Sequence, residues 1–105
     1  MATLVETCMA KLEVEARPGA GVTQYSLFVD GVAVTTDSRH RGSVSCEGRS
    51  GDGSNHSLLY AFVGSPGGSL SFTLRCGGRE VCRVRRARIE EAGNARRAGR
   101  MMFEI

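Results

Sequence analysis

Apolar and polar residues alternate with a period of two along most of the chain, the pattern of strands with one face packed and the other in water. From Cys8 to Arg17, the residues Cys8, Ala10, Leu12, Val14 and Ala16 share one face, while Met9, Lys11, Glu13, Glu15 and Arg17 share the other. Pro18-Gly19-Ala20-Gly21 turns the chain, and the run from Val22 to Val29 places Tyr25, Leu27 and Val29 together. Asp30-Gly31 stands directly before Val32-Ala33-Val34. Asp-Gly between two apolar runs signals a hairpin, because a type I′ turn needs positive φ at both central positions. A polar connection from Asp37 to Arg41 leads to a short strand around Ser43 to Glu47, and Gly48 to Asn55 is the most loop-like stretch of the chain.

His56 to Val63 reads as a long strand with apolar residues on both sides, Leu58, Tyr60 and Phe62 on one and Leu59, Ala61 and Val63 on the other, which suits a central position in a sheet. After the turn Ser65-Pro66-Gly67-Gly68, Leu70, Phe72, Leu74 and Cys76 alternate with Ser69, Ser71, Thr73 and Arg75. Gly77-Gly78 reverses the chain into Val81 to Ile89. Directly opposed residues point the same way, so Phe72, Leu74 and Cys76 should meet Cys82 and Val84 across a loop of three or five residues. Only the five-residue loop sets Cys76 against Cys82. The alternation slips between Val84 and Ala87, and a bulge near Arg85-Arg86 would return Ala87 and Ile89 to the inner face. Glu90 to Gly99 has a composition that suits a short helix, but Gly93-Asn94 interrupts it and a loop is expected. Met101, Phe103 and Ile105 alternate in a last strand.

Seven or eight strands at this spacing predict an all-β fold, a single-domain antiparallel β-sandwich over residues 1–105, with a small closed β-barrel as the alternative. A chain of 105 residues, 41% of them hydrophobic, supports one core and no more. It shows no internal repeat and no linker. The first ten residues carry Glu6 inside their apolar stretch and no basic lead, and nowhere do eighteen apolar residues run together. The expectation is a soluble protein without membrane association, cytoplasmic, or secreted if a leader has been removed. In a reducing compartment Cys8, Cys46, Cys76 and Cys82 are expected as thiols packed like small hydrophobes.

Charge changes the picture more than composition does. The net charge is +3, and thirteen of the fourteen basic residues are arginine, Lys11 being the exception. The last 31 residues hold nine arginines and four glutamates, a local net of +5, while the first 74 carry a net of −2. Arg83 and Arg85 should point outward from a strand whose inner face bears Cys82 and Val84, with Arg75 outward across the hairpin. Such a face fits carboxylates or phosphates bidentately. Arg75, Arg83, Arg85, Arg86 and Arg88 are therefore the expected partner-binding residues. Arg17, Arg39, Arg41 and Arg49 show that lysine is avoided throughout, so part of the excess is compositional habit. Single-stranded nucleic acid is a third-ranked ligand, because binders of that kind add aromatic stacking platforms, and no aromatic lies between Phe72 and Phe103.

The loop Gly48-Arg49-Ser50-Gly51-Asp52-Gly53-Ser54-Asn55-His56 is the other candidate. Ser50, Asp52, Asn55 and His56 could hold a carbohydrate, with Tyr25 or Tyr60 nearby, although the chain has no tryptophan. One carboxylate is too few for calcium, and an Asx turn explains the composition better. No close Cys-x2-Cys pair marks a zinc site, no Gly-rich phosphate motif occurs, and no nucleophile elbow or zincin motif points to catalysis. Glu13 and Glu15 share a strand face with Lys11 and Arg17, an ordinary charged surface. His40, between Arg39 and Arg41, reads as a loop histidine. The expectation is a noncatalytic interaction or structural module without metal or cofactor. It would contact an acidic protein or polyanion through the arginine face, or act as a subunit of a larger assembly, or pair with a second copy through an edge strand.

Overall fold

A computed structural model describes residues 8–89 and 96–105. Eight strands run in the order β1 (Met9–Pro18), β2 (Val22–Val29), β3 (Val32–Val34), β4 (Arg41–Glu47), β5 (Asn55–Gly64), β6 (Ser69–Cys76), β7 (Arg79–Arg88) and β8 (Arg96–Glu104). They form two antiparallel sheets, a first with strand order β4-β1-β6-β7 and a second with order β3-β2-β5-β8. The fold is the expected sandwich. The sheets stay open at their edges, which sets aside the closed barrel.

The alternation in the sequence becomes the core. Leu12, Val14 and Ala16 of β1, Leu70, Phe72 and Leu74 of β6, Leu27 and Val29 of β2, and Leu58, Tyr60 and Phe62 of β5 turn inward and are buried. Each large apolar side chain removed from water in this way stabilises the fold by about 1.5–3 kcal/mol before entropy is counted. Tyr60 meets Phe72 edge-on at 5.3 Å between ring centroids. The same tyrosine lies opposite Gly99 of β8. A Cβ at Gly99 would overlap the ring and hydroxyl of Tyr60, so the missing side chain is what lets the ring lie across the neighbouring strand.

Asp30 (φ 49°) and Gly31 (φ 80°) supply the two positive φ values of the expected hairpin turn. Ser71 of β6 faces both Arg85 and Arg86, because Leu70 pairs with Ala87 and Phe72 with Val84. This is the expected bulge, with Arg86 at φ 46° and its N–H donated to the Ser71 hydroxyl at 3.0 Å. Ala87 and Ile89 are consequently buried.

Three expectations need correction. Leu74 meets Cys82 and Cys76 meets Arg79, so the chain reverses over Gly77-Gly78 alone and a second irregularity follows near Val81. The five-residue loop that would oppose Cys76 and Cys82 does not form, and all four cysteines are free. Cys8 is exposed while Cys46, Cys76 and Cys82 are buried. The last strand begins at Arg96, so residues 96–99, expected in a loop, pair with Tyr60 to Val63; the rest of that expected loop, 90–95, lies outside the described residues. β5 is interior to its sheet, as expected, but the sheet's outer face is uncovered: Leu59 is 43% and Val63 37% exposed.

Candidate functional site

The loop between β4 and β5 is organised by Asp52. Its Oδ2 accepts the Arg49 N–H at 2.7 Å and its Oδ1 the Ser54 N–H at 2.8 Å, the Asx turn that its composition suggests. Hydrogen bonding from the Ser54 side chain, then from the Arg49 and Ser54 amides, holds its pKa at about 2. The Gly51 N–H donates to the Ile105 carbonyl at 2.7 Å, which also accepts Arg79 Nη2 at 3.1 Å. Loop, β7 and the end of β8 are tied together at this point.

His56, expected as a ligand residue, is 5% exposed and has both ring nitrogens engaged. Nδ1 lies 2.6 Å from Asp30 Oδ2, and Nε2 lies 3.0 Å from Ser54 Oγ. Burial alone would raise the pKa of Asp30, but the Ser57 N–H and His56 outweigh it and lower the value. An ionised Asp30 only accepts, so His56 Nδ1 carries a proton, and the single hydrogen of the Ser54 hydroxyl lies between His56 Nε2 and the Asp52 carboxylate. The connectivity is that of a Ser-His-Asp relay. Its surroundings are different from those of a nucleophile. The amides of Arg49, Gly51, Asp52 and Ser54 already have acceptors. Above Gly48 the Asp52 carboxylate lies beside Ser54 Oγ, both within 3 Å of the point a Gly48 Cβ would occupy. A carboxylate there opposes the negative charge that acyl transfer develops. What the relay does in the fold is fasten the Asp30-Gly31 hairpin to the start of β5, reinforced by the Ser57 N–H on Asp30 Oδ1 at 2.9 Å.

Ser50 and Asn55, the other two residues of that expected site, are exposed. The tyrosines suggested beside them are placed elsewhere. Tyr60 is in the core, and the hydroxyl of Tyr25 is 2.8 Å from both His40 Nδ1 and Thr36 Oγ1. His40, in the β3–β4 connection, thus has Tyr25 of β2 as its partner and sits at φ 62°.

The register places Arg75, Arg83, Arg85 and Arg88 outward on the first sheet, as expected. They are not equivalent. Arg75 Nη1 is 3.6 Å from Glu15 Oε2, and Arg83 Nε pairs with Glu80. Glu15 also pairs with Arg17 at 3.1 Å, and its pKa is lowered first by that hydrogen bond. The centre of this face is therefore a mixed lattice of both signs, with a shallow groove of about 480 Å³ lined by Lys11, Glu13, Asp37 and Arg41 among others.

The concentration of positive charge is on the flank. β7 and β8 are the edge strands of the two sheets on the same side of the sandwich. Arg97 Nη1 donates to the Arg88 carbonyl at 3.0 Å, so the end of β7 adjoins the start of β8. Arg85, Arg86 and Arg88 towards the end of β7 and Arg96 and Arg97 at the start of β8 line this flank, all exposed, with Arg85 and Arg88 outward from the first sheet and Arg96 outward from the second. Among the described residues none of the five forms an ion pair with a carboxylate. Glu90 and Glu91 separate the two strands in the chain. The β8 arginines are counted in the basic stretch of the sequence but not placed on a strand by it, because Gly93-Asn94 made residues 90–99 look like a loop.

Among the described residues no group of three or more His, Cys, Asp and Glu side chains is arranged to hold a metal ion, and no helix is long and apolar enough to cross a membrane. Compared with known protein families, with curated proteins and with solved structures, the chain matches none.

Proposed function

We propose that this protein is a noncatalytic interaction module whose β7–β8 flank contacts an acidic partner. The observation that carries the reading is that Arg85, Arg86, Arg88, Arg96 and Arg97 lie on two adjoining edge strands, exposed and without carboxylate partners among the described residues. A cluster of fixed guanidinium groups raises the local concentration of anions and offers forked donors to carboxylates. Arg75 and Arg83, by contrast, spend part of their charge on Glu15 and Glu80. Their contribution to a partner is correspondingly smaller than that of Arg85, Arg86 and Arg88.

An acidic protein is favoured over nucleic acid because the flank lacks an aromatic platform on which bases would stack. The engaged amides and the Asp52 carboxylate around Ser54 support the noncatalytic part of the reading. Titration with polyglutamate and with a single-stranded oligonucleotide at two salt concentrations tests the partner class. Salt-sensitive binding of polyglutamate is expected. Binding of the oligonucleotide alone would overturn the choice of partner, and covalent labelling of Ser54 by a fluorophosphonate would overturn the noncatalytic reading.

A further inference from the structure

The four edges of the sandwich differ in how well they could accept another strand. β3 is three residues long. β7 is broken by two register irregularities, one of which holds Arg86 at positive φ, where the backbone leaves the extended conformation. β4 is seven residues long, its second residue Gly42 is already bridged to Thr36, and its outward side chains, Arg41, Ser43, Ser45 and Glu47, are close to neutral in sum. β8 is different. It pairs with β5 over nine consecutive residues without a shift and contains no proline. Among the described residues its other side faces no strand of its own sheet.

An open, regular edge of this length is a template for an added strand. We infer that β8 receives an acidic extended segment of the partner, which joins the second sheet as a fifth strand. The inference rests on the arginine-flank reading and gives it a geometry. On the outer face of the sheet β8 presents Arg96, Ala98, Arg100 and Met102 in alternation. A segment whose outward positions alternate carboxylate and apolar residues, an acid at every fourth residue, would set its acids opposite Arg96 and Arg100 and its apolar side chains opposite Ala98 and Met102. Such cross-strand pairs are the specific part of strand addition, and the ladder hydrogen bonds are the sequence-independent part. The apolar partners would also extend the uncovered face formed by Phe28, Leu59 and Val63. A second copy fits the same edge less well. Antiparallel self-pairing centred on Arg100 would set Arg96 against Glu104 but oppose two arginines at the axis, and each copy brings three arginines against one glutamate.

The test uses the full chain and three synthetic peptides of the same net charge. One repeats glutamate-threonine-valine-threonine, so that glutamate and valine alternate along one face, the second is that peptide with alternate amides N-methylated on one edge, and the third is an alanine-rich acidic helix. The expected result is that the first binds, that N-methylation weakens it about tenfold or more, and that Arg96→Glu/Arg100→Glu abolishes it. Amide exchange in β8 should slow on binding. Equal binding of the methylated peptide or of the helix would overturn strand addition and leave the arginine-flank reading standing. Failure of all three at low salt would overturn both. Self-association of the protein lost in Arg96→Glu/Arg100→Glu would instead assign the edge to a second copy.

Discussion

Gly99 shows how one missing side chain shapes the core. It is half-buried, sits opposite Tyr60, and leaves the space that the phenol ring fills. Gly99→Val should cost about 1–3 kcal/mol of unfolding free energy, because the ring must leave a well-packed position against Phe72. Tyr60→Leu in the same chain should return part of that loss, since the two residues share the space and their effects cannot add. Denaturant melts of the two single variants and the double variant measure the coupling; strict additivity would contradict the packing described. Asp52 gives a pH signature at the same scale. Its pKa falls from 3.8 to about 2 on folding, so the stability it contributes is complete above 3.8 and is lost as the pH drops through about 2. The gap in Tm between wild type and Asp52→Asn should therefore narrow across that window. A constant gap would mean that the carboxylate charge is not what the Arg49 and Ser54 amides recognise.

At the scale of the strand, the bulge in β7 decides which way the end of the chain's basic segment faces. Arg86 lies at φ 46°, a conformation that costs most for a β-branched residue and least for glycine. Arg86→Val should be about 1–2 kcal/mol less stable than Arg86→Gly in thermal or denaturant unfolding, and equal stability would deny the left-handed conformation there. This bulge was legible in the sequence because the apolar spacing from Val84 to Ala87 breaks a period of two. The Asp30-Gly31 hairpin was legible from its turn chemistry, and the packed faces of β1 and β6 from alternation alone. Residues 96–99 were not, since edge strands need pack only one face and these carry arginine, alanine and glycine instead of β-branched residues. The Gly77-Gly78 reversal was readable as a turn, but its register was not: parity admits loops of three and five residues, and the irregularity near Val81 supplies a third solution. The Asp30–His56–Ser54 network was out of reach for another reason. Its members come from a hairpin turn and a distant loop, and only the pairing of β2 with β5 brings them together.

For the whole molecule, net charge is a poor guide and placement is a good one. A sum of +3 conceals a first sheet whose outer face interleaves Glu13, Glu15, Arg75 and Arg83, and a flank lined by five arginines. The folding of residues 96–104 into β8 is what converts a basic stretch of sequence into a basic edge, because it brings Arg96 and Arg97 beside the end of β7. The expected partner face is thereby narrowed from Arg75, Arg83, Arg85, Arg86 and Arg88 to the last three with Arg96 and Arg97. The 48–56 loop, the other candidate, has its Asp52 and His56 engaged in internal hydrogen bonds. One measurement weighs the flank most directly: the affinity for polyglutamate at low salt of wild type, of Arg85→Glu/Arg88→Glu/Arg96→Glu, and of Arg39→Glu as a control exposed in the β3–β4 connection. The triple reversal should abolish binding while Arg39→Glu leaves it within about twofold of wild type, in line with short-range screened electrostatics. Unchanged binding by the triple variant, or an equal loss in Arg39→Glu, would show that the flank is not the contact surface.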